Sequence, residues 1–210
     1  MKRTEHREAE WAFPFIAYEP ENPQGKMPLI IQLHGAGERG LGQDDLSLVE
    51  VHGFSKLMQK AEYPCMLVMP QCPTGSFWIA KIESLFTFIE QLKARCAIDE
   101  DRIYLTGLSM GGYGTWTAAM ANPSIFAAIA PVCGGGMVWN AGVLTMPIWA
   151  FHGVLDGVVK VENSDDMVAK LRELGCEVKY DRVDGVYHDV WNYAYTEELL
   201  AWLLSNRREK

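Results

Sequence analysis

Short runs of apolar residues alternate along the chain with segments in which apolar residues recur every three or four positions. Most of these runs are nearly continuously apolar, as strands are when both faces of a parallel sheet are covered. An alternating segment over residues 11–20 predicts a further strand at the edge of the sheet. The other predicted strands cover residues 28–35, 65–71, 102–109, 126–134, 147–153 and 177–184.

Helices are predicted between and after these strands. Apolar residues at helical spacing occupy positions 82–92 and 167–174, and Gly175 stands where a helix commonly ends. Leucine pairs over 199–204 predict a last helix. This alternation predicts an α/β fold, with a mostly parallel, doubly wound sheet flanked by helices. Ligands of such sheets bind at the carboxyl ends of the strands.

Composition narrows the classes of protein. With 210 residues, 49% of them hydrophobic, the chain predicts one domain over residues 1–210, of which 1–10 form a flexible or loosely packed segment. A net charge of -8 argues against a nucleic-acid partner, and no apolar run is long enough to span a membrane. The scattered cysteines suit reduced thiols and the N-terminus lacks an export signal, which predicts a cytoplasmic protein. A secreted protein without its signal peptide would look the same, and a homodimer is left open.

The strongest chemical signal is a G-x-S-x-G pattern at residues 107–111, where a predicted strand meets a predicted helix. Such a sharp turn strains the backbone of its apex residue, and side chains two positions away on either side would collide. Gly107 and Gly111 avoid that collision, so Ser109 can present its hydroxyl at the start of a helix. The pattern predicts a nucleophilic serine; a glycine-rich turn with a capping serine is the structural alternative.

A serine nucleophile needs a histidine to take its proton and a carboxylate to orient that histidine, in the chain order serine, acid, histidine. His188 follows the last predicted strand and Asp156 follows the strand over 147–153, so we predict them as base and acid. His152 is interpreted as a packed residue at a strand end, with a base role as the alternative. Four other carboxylates compete with Asp156: Asp165 and Asp166 are interpreted as favourable charges near the start of a helix, and Asp184 and Asp189 are the alternative acids.

The loop at residues 35–40 reads G-x-G-x-x-G, a pattern found where dinucleotides bind. A dinucleotide site also needs an acidic residue at the end of the next strand, and that strand ends without one. Acyl transfer offers this loop another role, because the oxyanion of its intermediate needs two backbone N–H donors. Met110, directly after Ser109, would supply one of them.

The segments "LHGAGERG", "PQCPTGSFW", "YLTGLSMGGYGTW", "FHGVLDGVV" and "HDVWNYAY" together resemble the α/β-hydrolase superfamily. The likeness is to small phospholipase/carboxylesterase and dienelactone-hydrolase-like enzymes, including feruloyl esterase and predicted-peptidase branches. It implies a triad of Ser109, Asp156 and His188, and Ala36 as the second oxyanion donor. It also implies chemistry without metal or organic cofactor. Lys160 stands where the family commonly has proline, which affects entry to the next helix and not the chemistry.

The substrate is the least determined feature. The predicted elements use nearly the whole chain, which leaves no large lid and predicts an open cleft. Trp78, Trp139 and Trp191 fall in loops near the strand ends and are predicted to bind substrate, with core packing as the alternative. The leading hypothesis is a carboxylesterase acting on small-molecule esters. A peptidase or thioesterase with the same triad, and a non-catalytic binding module on the same fold, are the other two.

Overall fold

The computed structural model describes residues 1–208 and contains one eight-stranded sheet at its centre. The strands lie in the order β1-β2-β4-β3-β5-β6-β7-β8, and β2 runs antiparallel to both of its neighbours, whereas the other pairs are parallel. The strands are Lys2–His6 (β1), Phe15–Glu19 (β2), Met27–Leu33 (β3), Met66–Pro70 (β4), Ile98–Leu108 (β5), Ala128–Val132 (β6), Ile148–Gly153 (β7) and Val178–Val183 (β8).

Helices cover both faces of this sheet. They are Ser55–Met58 (α1), Ile82–Arg95 (α2), Met110–Ala121 (α3), Glu162–Glu173 (α4), Trp191–Ala194 (α5) and Glu197–Ser205 (α6). Short 3-10 helices cover Ala36–Glu38, Leu46–Glu50, Trp78–Ala80 and Val138–Val143. The three helices expected from hydrophobic spacing correspond to α2, α4 and α6. The predicted doubly wound α/β fold is confirmed, and no large lid is present in residues 1–208.

The two faces of the sheet bury separate hydrophobic clusters. In β3, Ile31 packs in one cluster with Leu85 of α2 and Met167 of α4. Its neighbour Ile30 packs in the other cluster, together with Leu203 of α6. Successive side chains of a strand point to opposite faces, so a strand covered on both sides is apolar at nearly every position. That requirement explains the continuous apolar runs in the sequence.

The N-terminal segment departs from the expectation. Residues 2–6 form β1, which pairs with β2 along its whole length, so the prediction that residues 1–10 are flexible or loosely packed is wrong there. The predicted strand at residues 11–20 exists as β2, but it is not at the edge because β1 covers it. β1 is charged, as exposed edge strands commonly are, and Arg3 pairs with Glu50 at 2.7 Å. A charged edge strand gives no hydropathy signal.

The carboxyl ends of the parallel strands bring the candidate residues together. The loop after β3 holds Ala36, the turn after β5 holds Ser109, and the loops after β7 and β8 hold Asp156 and His188. Residues far apart in sequence therefore meet at one rim of the sheet. Among residues 1–208, no helix combines the length and apolar character that crossing a membrane requires.

Candidate active site

Ser109 occupies the turn between β5 and α3 in a strained conformation. Its φ of 54° and ψ of -116° lie in a region that residues other than glycine rarely adopt. Such a backbone conformation typically costs about 1–3 kcal/mol of stability. A hydrogen bond of 2.9 Å from the Ser109 N–H to the Val132 carbonyl ties the turn to β6. The strain lifts the hydroxyl to the rim of the sheet, and the Ser109 side chain stays partly exposed.

The two glycines that flank Ser109 are required by close backbone contacts. A Cβ at Gly107 would lie 2.4 Å from the Gly111 carbonyl oxygen. A Cβ at Gly111 would lie 2.1 Å from the Leu33 carbonyl oxygen. Both distances are far below van der Waals contact, so the collision expected from the sequence pattern is present at both positions.

Ser109, His188 and Asp156 form one chain of hydrogen bonds. His188 Nε2 lies 2.9 Å from Ser109 Oγ, and His188 Nδ1 lies 2.6 Å from Asp156 Oδ2. A carboxylate only accepts, so Nδ1 carries a hydrogen and Nε2 is free to accept the serine proton. This is the arrangement in which an imidazole acts as a general base toward a serine.

The Asp156 carboxylate is buried, and both of its oxygens accept hydrogen bonds. Its Oδ1 accepts hydrogen bonds of 2.9 Å from the N–H groups of Val158 and Val159, which leaves Oδ2 for His188. Burial raises the pKa of this carboxyl, but the hydrogen bonds from His188 and from the two amides outweigh it and lower the pKa overall. Asp156 is therefore ionised and can stabilise a positive imidazolium.

None of the four other candidate acids hydrogen bonds to His188. Asp165 accepts hydrogen bonds from Tyr180 and Arg182 beside α4. Asp166, Asp184 and Asp189 are exposed. His152 is fully buried at the end of β7, where its nitrogens contact Ser164 and Val159, as the packed interpretation expects.

Two backbone N–H groups beside Ser109 are available as donors. Within residues 1–208, neither the Ala36 nor the Met110 N–H donates to a protein acceptor. Met110 is the first residue of α3, whose amide has no partner inside its own helix. Ala36 follows the end of β3 and is exposed at the rim. Free, fixed donors of this kind suit an oxyanion.

The loop that carries Ala36 is braced by the residues around it. His34 Nδ1 donates to the Gly35 carbonyl at 2.6 Å, and its Nε2 accepts from the Cys72 N–H at 2.9 Å. Arg39 donates to the Ala36 carbonyl at 2.9 Å. The loop leads into the short 3-10 helix Ala36–Glu38, not into the longer helix on which a dinucleotide pyrophosphate binds.

Comparison with known proteins agrees with the fold. A solved thermostable esterase is 35% identical and superimposes with a TM-score of 0.82, a match that covers 99% of this chain and 63% of the esterase. The chain has the α/β-hydrolase fold. Residues 80–145 of this α/β-hydrolase, which include Ser109, match the Prolyl oligopeptidase family.

Two curated relatives of this α/β-hydrolase are each 28% identical to it. One is the bifunctional acetylxylan esterase/xylanase XynS20E of Neocallimastix patriciarum, matched over 74% of this chain and 23% of its own. The other is poly(3-hydroxyalkanoate) depolymerase C of Paucimonas lemoignei, matched over 55% of this chain and 30% of its own. The match thus spans less than a third of the length of either relative.

A cavity of about 340 Å³ opens beside Ser109, and its exposed lining is almost entirely apolar. Its lining residues are Ala36, Phe77, Ile79, Ser109, Met110 and Tyr113. The Tyr113 hydroxyl donates to Asn163 Oδ1 at 3.1 Å, which fixes the ring as one wall. The Arg39 guanidinium lies 5.2 Å from the Phe77 ring centre on another wall. Tyr113 stands one helical turn after Ser109, and that spacing could have identified it from the sequence.

The tryptophans predicted to bind substrate do not line this cavity. Trp78 is fully buried and its indole N–H donates to the His34 carbonyl at 3.0 Å, so the prediction for Trp78 is wrong. Trp78 points into the core, and its sequence neighbours Phe77 and Ile79 line the cavity instead. Trp139 is 80% exposed and lies outside the lining. Trp191 packs edge-on against the His188 ring, with 5.3 Å between centres, and its contact with substrate stays a prediction.

One group of potential metal ligands coincides with the hydrogen-bonded chain. Ligand atoms of Cys133, Asp156 and His188 lie within 4.8 Å of one another. Burial raises the pKa of the Cys133 thiol, which disfavours the thiolate that a metal would need. Asp156 and His188 already satisfy each other. The arrangement therefore suits proton transfer better than metal binding.

A larger cavity, of about 810 Å³, lies at the opposite rim of the sheet. It is lined by residues near the starts of β7 and β8, including Ile148 and Val178, and by none of the hydrogen-bonded chain. Ligands of α/β sheets bind at the carboxyl ends of strands, where the smaller cavity opens. Position relative to the reactive groups, not volume, identifies the candidate site.

Proposed function

We propose that this α/β-hydrolase is a serine carboxylesterase that works through an acyl-enzyme on Ser109. The observation that carries the proposal is the hydrogen-bonded chain from Ser109 through His188 to Asp156, at a rim with two free backbone donors. The esterase names of its relatives support the same reaction type.

Each group has one role in the proposed reaction. Ser109 Oγ attacks the ester carbonyl carbon while its proton passes to His188 Nε2, and Asp156 stabilises the imidazolium that forms. The oxyanion accepts from the Ala36 and Met110 N–H groups, each worth about 3–4 kcal/mol in the transition state. As the C–O bond breaks, His188 returns the proton to the leaving alcohol. Water then attacks the acyl-enzyme by the same steps in reverse.

The apolar cavity beside Ser109 is the proposed site of the acyl group. It adjoins Ala36 and Met110, so an acyl carbonyl whose oxygen meets both amides would direct its substituent toward Phe77 and Tyr113. A volume of about 340 Å³ is near the lower end of the range for small-molecule pockets. We therefore expect short or single-ring acyl groups, and small-molecule esters as substrates.

Covalent labelling tests the proposal. A fluorophosphonate should label the wild-type chain, and p-nitrophenyl acetate should be hydrolysed. Ser109→Ala should abolish both, and His188→Ala should abolish turnover. Ser124→Ala changes an exposed serine elsewhere and serves as the matched control. Labelling that survived Ser109→Ala would refute the nucleophile, and an unlabelled wild type would favour a binding module.

Peptide-bond cleavage is the second candidate, because residues 80–145 match the Prolyl oligopeptidase family. A thioesterase would use the same groups. A panel of esters, thioesters and anilides with one shared acyl group separates the three activities. The ratio of their kcat/KM values identifies the bond for which the site is built.

We also propose a cytoplasmic location, which fits the five cysteines because none forms a disulfide in residues 1–208. Cell fractionation tests it. A homodimer, which the sequence leaves open, stays a prediction for sedimentation analysis.

A further inference from the structure

His152 is a fully buried histidine that the proposed reaction does not use, yet it adjoins the triad acid. It lies in β7, two residues before the loop that carries Asp156. Its Nε2 is 3.4 Å from Asp156 Oδ2, the oxygen that also accepts from His188. Two histidines therefore flank a single carboxylate.

The contacts of His152 lead to Asp156 through the backbone of one residue. His152 Nε2 lies 2.8 Å from the Val159 carbonyl oxygen, and a carbonyl only accepts, so Nε2 carries the hydrogen. The Val159 N–H in turn donates to Asp156 Oδ1 at 2.9 Å. A continuous path of hydrogen bonds thus leads from the end of β7, through the backbone of Val159, to the Asp156 carboxylate.

The other ring nitrogen of His152 contacts a serine hydroxyl. His152 Nδ1 lies 2.7 Å from Ser164 Oγ, which also lies 2.9 Å from the Gly134 carbonyl oxygen. In a neutral ring with hydrogen on Nε2, the one hydrogen of the Ser164 hydroxyl is shared between two acceptors, Nδ1 and the Gly134 carbonyl oxygen. Burial lowers the pKa of His152 more than the hydrogen bond to the Val159 carbonyl and the charges of Asp156 and Asp165 raise it, so the ring is neutral at neutral pH.

We propose that His152 is a positioning residue for the triad acid. Its Nε2–H holds the backbone of Val159 in place through the carbonyl, so that the amides of Val158 and Val159 occupy Oδ1 and leave Oδ2 directed at His188. The inference rests on the proposed function and adds a residue that acts on catalysis only through Asp156.

A double-mutant cycle on labelling rates tests this. His152→Leu removes the Nε2 donor, and we expect the fluorophosphonate labelling rate and kcat to fall by about 10- to 100-fold, with KM nearly unchanged. In an Asp156→Asn background the same change should cost less than about threefold, because the group through which it acts is gone. Equal losses in the two backgrounds would overturn the inference.

Two comparisons separate positioning from packing. His152→Gln places an amide N–H near the position of Nε2 and should retain most of what His152→Leu loses; equal losses in these two variants would contradict a role for the donor. Ser164→Ala removes the partner of Nδ1 alone and should cost less than His152→Leu; an equal or larger loss would contradict the path through Val159.

The native protein provides a test that survives if His152→Leu does not fold. Nitrogen-15 NMR at neutral pH should find the His152 hydrogen on Nε2, and a hydrogen on Nδ1 would overturn the inference. A wild type that neither labels nor hydrolyses esters would refute the proposed function and this role with it. Active wild type with equal losses in the two backgrounds refutes the role of His152 alone.

Discussion

Protonation of His34 should weaken both the fold and the loop that carries Ala36. The ring is 2% exposed, and burial lowers the pKa of His34 from its ordinary 6.5 to about 4. Both nitrogens are engaged, so a proton added to Nε2 would face the Cys72 N–H. The folded state therefore binds this proton less readily than the unfolded chain does.

The pH range of the effect follows from the two pKa values of His34. Well above pH 6.5 the His34 ring is neutral in both the folded and the unfolded state, so it does not lower the free energy of unfolding. Between pH 6.5 and 4 the unfolded chain binds a proton that the folded state does not, so stability falls as pH falls. Each pH unit is worth about 1.4 kcal/mol, which gives a loss of about 3 kcal/mol below pH 4. About 2 kcal/mol of that loss is reached at pH 5.

Urea unfolding of wild type and His34→Gln at pH 8 and pH 5 measures this loss. Glutamine cannot titrate, yet its carbonyl can accept from the Cys72 N–H, so the free energy of unfolding should depend less on pH by about 2 kcal/mol. Other groups contribute equally to both proteins. Because Glu38 Oε2 lies 3.9 Å from His34 Nδ1, the comparison is repeated in a Glu38→Gln background. Equal pH dependence in wild type and variant, or an NMR titration of His34 near 6.5, would refute the reasoning.

Three further changes give direct readouts. Asp156→Asn should lower kcat on p-nitrophenyl acetate by about 10⁴-fold, since an amide disfavours the required imidazole tautomer, and a loss below tenfold would contradict the assignment. Gly111→Ala places a Cβ 2.1 Å from the Leu33 carbonyl oxygen and should lower Tm by several degrees or prevent folding, whereas Gly142→Ala, with 3.5 Å to its nearest neighbour, should not. Phe77→Ala enlarges the acyl cavity and should shift the hexanoate-to-acetate ratio of kcat/KM upward by about tenfold; an unchanged ratio would place the acyl group elsewhere.

Local sequence determined the fold class and the turn at the nucleophile. Short, continuous apolar runs bounded by turn residues fit strands that are covered on both sides. The glycines two positions from Ser109 are required by close contacts between backbone atoms alone. Both constraints act over a few residues, so they can be recognised in the sequence without knowing which residues pack against them. The charged strand β1 was missed because its stability comes from pairing with β2 and from ion pairs such as Arg3 with Glu50, not from burial.

The candidate site required tertiary structure wherever the partner of a side chain is distant in sequence. The order of Ser109, Asp156 and His188 predicted which side chains meet, but only the sheet order sets their hydrogen-bond distances. Trp78 illustrates the limit, because its loop position is compatible with pocket or core, and the bond to the His34 carbonyl decides for the core. Sequence constrains a backbone locally, whereas the direction of a side chain depends on what packs against it.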